Sequence, residues 1–217
     1  MSLKDKTVVV TGGSRGLGLG LVEALVSRGA RVTVVARDQA ALAAVKQRLG
    51  VAVIPADVTD KEAAQRILAE VRPDIVVLNA GATPRMGRLD EVSWADFTAT
   101  WETDVKAGLY WIQAALNLPL ERGSRVLVGS SGAAANGSPL SGGYAGAKRM
   151  LWFMARYANG AAEQKKLGIR FQAIVPLQII GGTGVRRRRQ RLRALDGRRA
   201  RGVSGPVRRA ASAPPIR

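Results

Sequence analysis

Thr11-Gly12-Gly13-Ser14-Arg15-Gly16-Leu17-Gly18 is the stretch on which the reading of this sequence turns. An apolar run, Thr7-Val8-Val9-Val10, precedes it, and a helix-patterned segment, Leu17-Gly18-Leu19-Gly20-Leu21-Val22-Glu23-Ala24-Leu25, follows. A strand, a glycine-dense turn and a helix in that order make an anion site. The first N–H groups of a helix lack partners and lie at the positive end of its dipole, and glycines let a pyrophosphate approach the main chain. A glycine turn alone is a weak signal; the flanking strand and helix give it meaning. No Gly-Lys-Ser/Thr closes the turn, which disfavours a nucleoside-triphosphate loop. A dinucleotide site is expected here.

Outward from this turn the same unit repeats. The first strand reads as Lys6 to Val10, and the first helix as Leu17 to Arg28, stopped by Gly29. A second strand, Arg31 to Ala36, leads to a helix from Gln39 to Leu49, closed by Gly50. Val51 to Pro55 is a third strand, and Thr59-Asp60-Lys61-Glu62 resembles a capping box ahead of a helix over 61–71. Asp74 to Leu78 forms a fourth strand, whose continuous apolar character suits a sheet covered on both faces. Asn79-Ala80-Gly81 follows it, then a long helix from Ser93 to about Leu116, a fifth strand over Ser124 to Gly129, and Ser130-Ser131. A glycine-rich loop, a helix from Tyr144 to about Gln164 and a sixth strand, Ile169 to Val175, complete the alternation. This pattern predicts a doubly wound α/β fold of the Rossmann type with a parallel sheet. Ligands of such sheets lie at the carboxyl ends of the strands, where the glycine turn, Arg37, Asp57, Asn79 and Ser131 all fall.

Composition narrows the chemistry. The chain has 217 residues, no cysteine and no histidine. Disulfides, thiolate chemistry, a Ser-His-Asp triad and the usual imidazole base are therefore excluded, and no metal site is expected. No signal-peptide h-region follows the first residues, and no apolar run is long enough to span a bilayer, so a soluble cytoplasmic protein is expected. The net charge of +18 is unevenly spread. Residues 186–217 hold twelve arginines against one acid, Asp196, leaving 22 basic and 15 acidic residues in 1–185. The sequence thus divides into an α/β domain over 1–185 and an Arg-rich, disordered tail over 186–217.

Without His or Cys, proton transfer must come from another group. Tyr144 and Lys148 stand at i and i+4 on one helix and share a face. Free tyrosine has a pKa of about 10, and a neighbouring ammonium favours the phenolate. Ser131 closes the preceding strand, so its hydroxyl can meet the phenol over a bound substrate. The cofactor's phosphate is read from charge. An acid ending the second strand would bind a ribose 2′-OH; here Ala36 ends it, Arg37 follows, and Arg15 lies in the glycine turn. Two guanidinium groups suit a 2′-phosphate, so NADP(H) is favoured over NAD(H), which Asp38 keeps in play.

Taken together, the residues resemble the short-chain dehydrogenase/reductase family over roughly 5–185. The matches are Thr-Gly-x-x-x-Gly-x-Gly at 11–18, Asn79-Ala80-Gly81, Ser131 and Tyr144-x-x-x-Lys148, with Pro176 and Thr183 similar to a stretch after the family's sixth strand. The resemblance implies hydride transfer between a nicotinamide and a carbonyl or alcohol substrate. Tyr144 would be the general acid/base, Lys148 its activator and a ribose ligand, and Ser131 the group that polarises the carbonyl. It also implies cofactor contacts by Gly12, Ser14, Arg15, Gly16, Leu17, Gly18, Asn79, Ala80, Gly81, Pro176 and Thr183, with Asp57 and Val58 at the adenine. Trp101, Trp111 and Trp152-Phe153 lie on helices that form a homodimer or homotetramer face in this family, with ordinary core packing the alternative expected for at least some of them.

Three departures stand out. Asp104 occupies the place of an Asn that completes the family's proton relay, and an ionised carboxylate accepts hydrogen bonds but donates none. Leu177 replaces the usual glycine after Pro176. At about Val185 the composition changes abruptly, and the sheet is expected to lack the family's last strand. We read the tail as the product of a truncation or a shifted reading frame. A rival reading makes the chain a catalytically impaired nucleotide-binding protein whose arginines hold nucleic acid or anionic surfaces through charge alone.

Overall fold

The computed structural model describes residues 3–118 and 120–176. Six parallel strands form one sheet in the order β3-β2-β1-β4-β5-β6: β1 (Thr7–Thr11), β2 (Arg31–Ala36), β3 (Ala52–Pro55), β4 (Ile75–Leu78), β5 (Arg125–Gly129) and β6 (Arg170–Ile174). The order reverses between β1 and β4, so their carboxyl ends border the crevice that this topology opens. Helices α1 (Gly16–Val26), α2 (Gln39–Leu49) and α3 (Lys61–Val71) follow the first three strands. After β4 come α4 (Trp94–Thr100), a π-helical turn (Trp101–Val105) and α5 (Lys106–Asn117); after β5 come the short α6 (Ala133–Asn136) and α7 (Gly143–Gln164).

Side-chain alternation explains why the central strands are largely apolar. In β1, Val8 and Val10 enter the core under α1 and α2 beside Val22, Leu42 and Val45, while Val9 enters the opposite core. That second core packs α3, α5 and α7 through Ile67, Leu68, Trp111, Ala115, Leu151 and Phe171. In β4, Val76 and Leu78 join the second core and Val77 the first. A strand buried on both faces favours apolar side chains, and the buried hydroxyl of Thr11 is admitted with hydrogen bonds.

The helix ends match most of the expectations. Gly50 ends α2 with φ 65°, the left-handed conformation that glycine adopts without strain. The box at 59–62 resolves differently: Asp60, not Thr59, caps α3, accepting from Glu62 N at 2.9 Å and Ala63 N at 3.1 Å. Thr59 is instead held by Asp57. The long helix expected over 93–116 is one helical course, but it widens into a π turn at Trp101–Val105. α6 lies within the glycine-rich segment that reads as loop.

Asp74 ties the amino ends of β1 and β4 together. Its carboxylate accepts from Lys6 Nζ at 2.7 Å and from Thr7 N at 2.9 Å. The Lys6 hydrogen bond is the chief reason that its carboxyl titrates below its ordinary value of 3.8. A lowered carboxyl pKa contributes stability above the unfolded value and loses it as pH falls through the folded one. Asp74→Ala should therefore cost about 1 kcal/mol at neutral pH, and its deficit should shrink below about pH 3.8. Denaturant midpoints of both proteins across pH check this. A deficit independent of pH would show that the carboxylate charge is not its source.

Candidate active site at the carboxyl ends of the strands

The glycine turn is clamped from below by β4. Thr11 Oγ1 donates to Val77 O at 3.3 Å and accepts from Asn79 N at 3.0 Å and Ala80 N at 3.1 Å. Asn79 Nδ2 donates to the Thr11 and Gly12 carbonyls, each at 3.2 Å. The side chain of Asn79 thus shapes the turn. Gly12 has φ 67°, and a Cβ there would stand 2.7 Å from Ala80 Cα. A Cβ on Gly18 would run into the Gly12 carbonyl and stand 2.5 Å from Asn79 Nδ2. Both glycines let the start of α1 lie directly on the strand ends. The α1 amino end carries no side-chain cap and no acid in its first turn, whereas aspartates cap α2 and α3. Its N–H groups are available to an anion. Arg15 is exposed beside them, with Ser14, Gly16 and Leu17 half-buried.

At the end of β2, Arg37 Nη1 lies 3.6 Å from Asp57 Oδ2, both side chains well exposed. Asp57 Oδ1 accepts from Thr59 N at 2.9 Å and Thr59 Oγ1 at 2.8 Å. The main-chain N–H of Thr59 is the largest cause of its lowered carboxyl pKa, with Arg37 adding to it. Asp38 caps α2 by accepting from Ala41 N at 3.0 Å, so its carboxylate already has a structural role. Val58 turns its side chain into the core, and its carbonyl accepts from Trp111 Nε1 at 3.1 Å. Only its main chain can meet a ligand. The same bond corrects the expectation for Trp111: at 1% exposure it is a core residue, not part of an association face.

The reacting side is built on β5 and α7. Ser131 follows β5, half-buried, and its Oγ accepts from Ala133 N at 3.2 Å. Tyr144 lies in the first turn of α7, half-buried, and Lys148 lies one turn on, buried. Lys148 Nζ is 5.8 Å from the Tyr144 ring centroid and donates to Gly129 O at 3.3 Å. It also lies 3.0 Å from Asp104 Oδ2. Asp104 Oδ1 accepts from Ala82 N at 2.7 Å, and Gly81 is small because a Cβ there would stand 2.8 Å from Asp104 Oδ2.

Further residues that the sequence did not assign to the site hold this arrangement. Ser130 Oγ donates to Lys148 O at 2.7 Å, and Trp101 Nε1 donates to Gly143 O at 3.1 Å. The only sequence signal for Ser130 is its place beside Ser131, and Trp101 reads in the sequence as part of an association face, not of this site. Pro176 O accepts from Gly132 N at 2.9 Å, supporting the loop that carries Ser131. Thr183, Leu177 and the tail over 186–217, with its expected disorder and nucleic-acid role, lie outside the described residues. Among the described residues no three acidic or other metal-binding side chains gather, and no helix is long and apolar enough to cross a membrane.

Comparison with known proteins points the same way as the geometry. The model of the short chain dehydrogenase family matches residues 6–191. The chain is 33% identical over 183 residues to 2,5-dichloro-2,5-cyclohexadiene-1,4-diol dehydrogenase of Sphingobium indicum, covering 80% of this chain and 72% of that protein. It is 33% identical over 179 residues to L-fucose dehydrogenase of Rattus norvegicus, covering 79% of this chain and 65% of the relative. A solved short-chain type dehydrogenase/reductase from Mycobacterium ulcerans superposes with a TM-score of 0.75 at 26% identity, over 83% of this chain and 70% of the other.

Proposed function

The chain belongs to the short-chain dehydrogenase family, and on that basis we propose that it is an NADP(H)-dependent oxidoreductase interconverting a small carbonyl compound and its alcohol, with Tyr144 as general acid/base. Membership makes it an oxidoreductase with a nicotinamide dinucleotide cofactor and a small-molecule substrate; the phosphate preference and the residue roles are our inference. The observation that carries it is convergence. The glycine cradle on β1, Ser131 after β5, and Tyr144 with Lys148 on α7 all face the carboxyl end of one sheet.

The residues fit the cofactor. Gly12 and Gly18 let the start of α1 pack directly on the strand ends, and its uncapped N–H groups are there for a pyrophosphate. Arg15 and Arg37 offer guanidinium groups to a 2′-phosphate, and Asp38 is engaged as a cap rather than standing ready for a 2′-OH. When bound, the nicotinamide supplies or takes up the hydride. Tyr144 Oη gives its proton to the carbonyl oxygen in reduction and recovers one from the hydroxyl in oxidation. Ser131 Oγ donates a hydrogen bond to the same oxygen and holds it against the phenol. Lys148, in ion contact with Asp104, stands beside the Tyr144 ring. Relatives named for a diol and for L-fucose support a small hydroxylated substrate. Association through α4, α5 and α7 would use exposed Trp94, Trp101, Leu109 and Tyr157 with half-buried Trp152 and Phe153.

Arg37→Ala tests the phosphate reading. A charged hydrogen bond contributes about 1.5–3 kcal/mol, and the exposure of Arg37 places the effect at the lower end. NADPH affinity should fall about tenfold while NADH affinity hardly changes. Equal losses for both cofactors would mean that Arg37 does not read the phosphate.

A further inference from the structure

Asp104 and Lys148 form a buried ion pair on the reacting side of the site. Their side chains are 1% and 10% exposed, with Asp104 Oδ2 3.0 Å from Lys148 Nζ. Asp104 Oδ2 makes no hydrogen bond among the described residues, so the attraction is one of charge rather than of direction. The pair is anchored at both ends. Ala82 N holds Asp104 Oδ1 at 2.7 Å, and Gly129 O receives Lys148 Nζ at 3.3 Å. Gly81 completes the seat, since a side chain there would displace the carboxylate.

Other charges do not compete for Lys148. Among the elements packed against α7, Glu102 on the π turn and Lys106 on α5 are exposed, and Lys106 lies over the Tyr110 ring. Asp96 on α4 faces Arg85 at 3.7 Å. Arg125 and Arg170 stand at the opposite, amino ends of β5 and β6. On α7 itself, Arg149 stacks on Trp152 and Phe153, and Arg156 is exposed. A buried cation with one carboxylate at contact distance presents little net charge to a third group.

We propose that Asp104 is a positioning residue that holds Lys148 as an ion pair and withholds its positive charge from Tyr144. This inference rests on the dehydrogenase reading for its catalytic meaning, but the electrostatic coupling stands on the geometry alone. The carboxylate offsets the charge by which the ammonium would favour the phenolate. Carbonyl reduction starts from the phenol, whereas alcohol oxidation needs the phenolate. Asp104 thus weights the site toward the direction that starts from the phenol.

Ultraviolet absorbance of the phenolate tests the proposal without cofactor or substrate. The chain has three tyrosines, so the Tyr144 signal is the difference from Tyr144→Phe made in the same background. At a fixed, mildly alkaline pH, Asp104→Asn should raise that signal several-fold over the wild type, and Asp104→Glu, which keeps the charge, should leave it near the wild-type level. If Asp104→Asn shows no cooperative unfolding transition, Asp104→Ser removes the same charge with a smaller side chain. A signal equal in the wild type and the uncharged variant, or raised as much by Asp104→Glu, overturns the proposal. Failure of the dehydrogenase reading would appear separately, as absent NADPH binding by the wild type.

Discussion

Tyr144→Phe should lower turnover by about 10²–10⁴-fold while leaving the unfolding transition and the affinity for NADPH close to those of the wild type. The phenol oxygen is suited to pass a proton to a carbonyl, and with neither histidine nor cysteine in the chain no imidazole or thiol can take its place. Ser131 cannot substitute: its hydroxyl lies at the end of β5, with no carboxylate or imidazole among its hydrogen-bond partners. Phenylalanine keeps the ring and its place beside Lys148, so the loss should fall on the chemical step rather than on binding. NADPH oxidation across a panel of small hydroxylated aldehydes and ketones measures it. A variant that keeps most of the wild-type rate would remove Tyr144 from the mechanism.

Gly18→Ala should damage the site from the other side. The added Cβ would meet the Gly12 carbonyl and Asn79 Nδ2, both parts of the clamped turn, and neither is the free end of a flexible side chain. The turn or the start of α1 must shift, at a cost of about 1–3 kcal/mol in stability. The N–H groups that we propose hold the pyrophosphate shift with it, so NADPH affinity should fall by at least about 100-fold, equivalent to about 2.7 kcal/mol. Gly20 in the same helix is the control. A Cβ there meets nothing within 4 Å, so Gly20→Ala should leave binding intact and stabilise the helix by up to about 1 kcal/mol. Equal binding by both variants would show that close packing of the turn does not govern nucleotide affinity.

Much of this could be read before the structure because the governing signals are local. Continuous apolar runs such as Ile75-Val76-Val77-Leu78 mark strands buried on both faces, and Gly50 marks the stop of α2. Tyr144 and Lys148 share a face by helical spacing alone. What escaped depends on partners distant in sequence. The pairing of Lys148 with Asp104 requires α7 to pack on the π turn, and nothing in Trp101–Val105 signals that the helix widens there. Trp111 belonged with the other tryptophans by composition, yet the Val58 carbonyl and the core claim it. Asp38 reads in the sequence as a rival ribose ligand and caps α2 in the structure, because one aspartate after a strand suits either role. Asp60 took the α3 cap from Thr59 because its carboxylate reaches two main-chain N–H groups at once.

Calorimetric titration of the purified chain with NADPH, and separately with NADH, tests the central claim most directly. The account predicts saturable binding of about one equivalent of NADPH per chain, tighter than NADH and lost in Gly18→Ala. Absence of saturable binding by either cofactor would contradict it, however complete the set of residues at the strand ends.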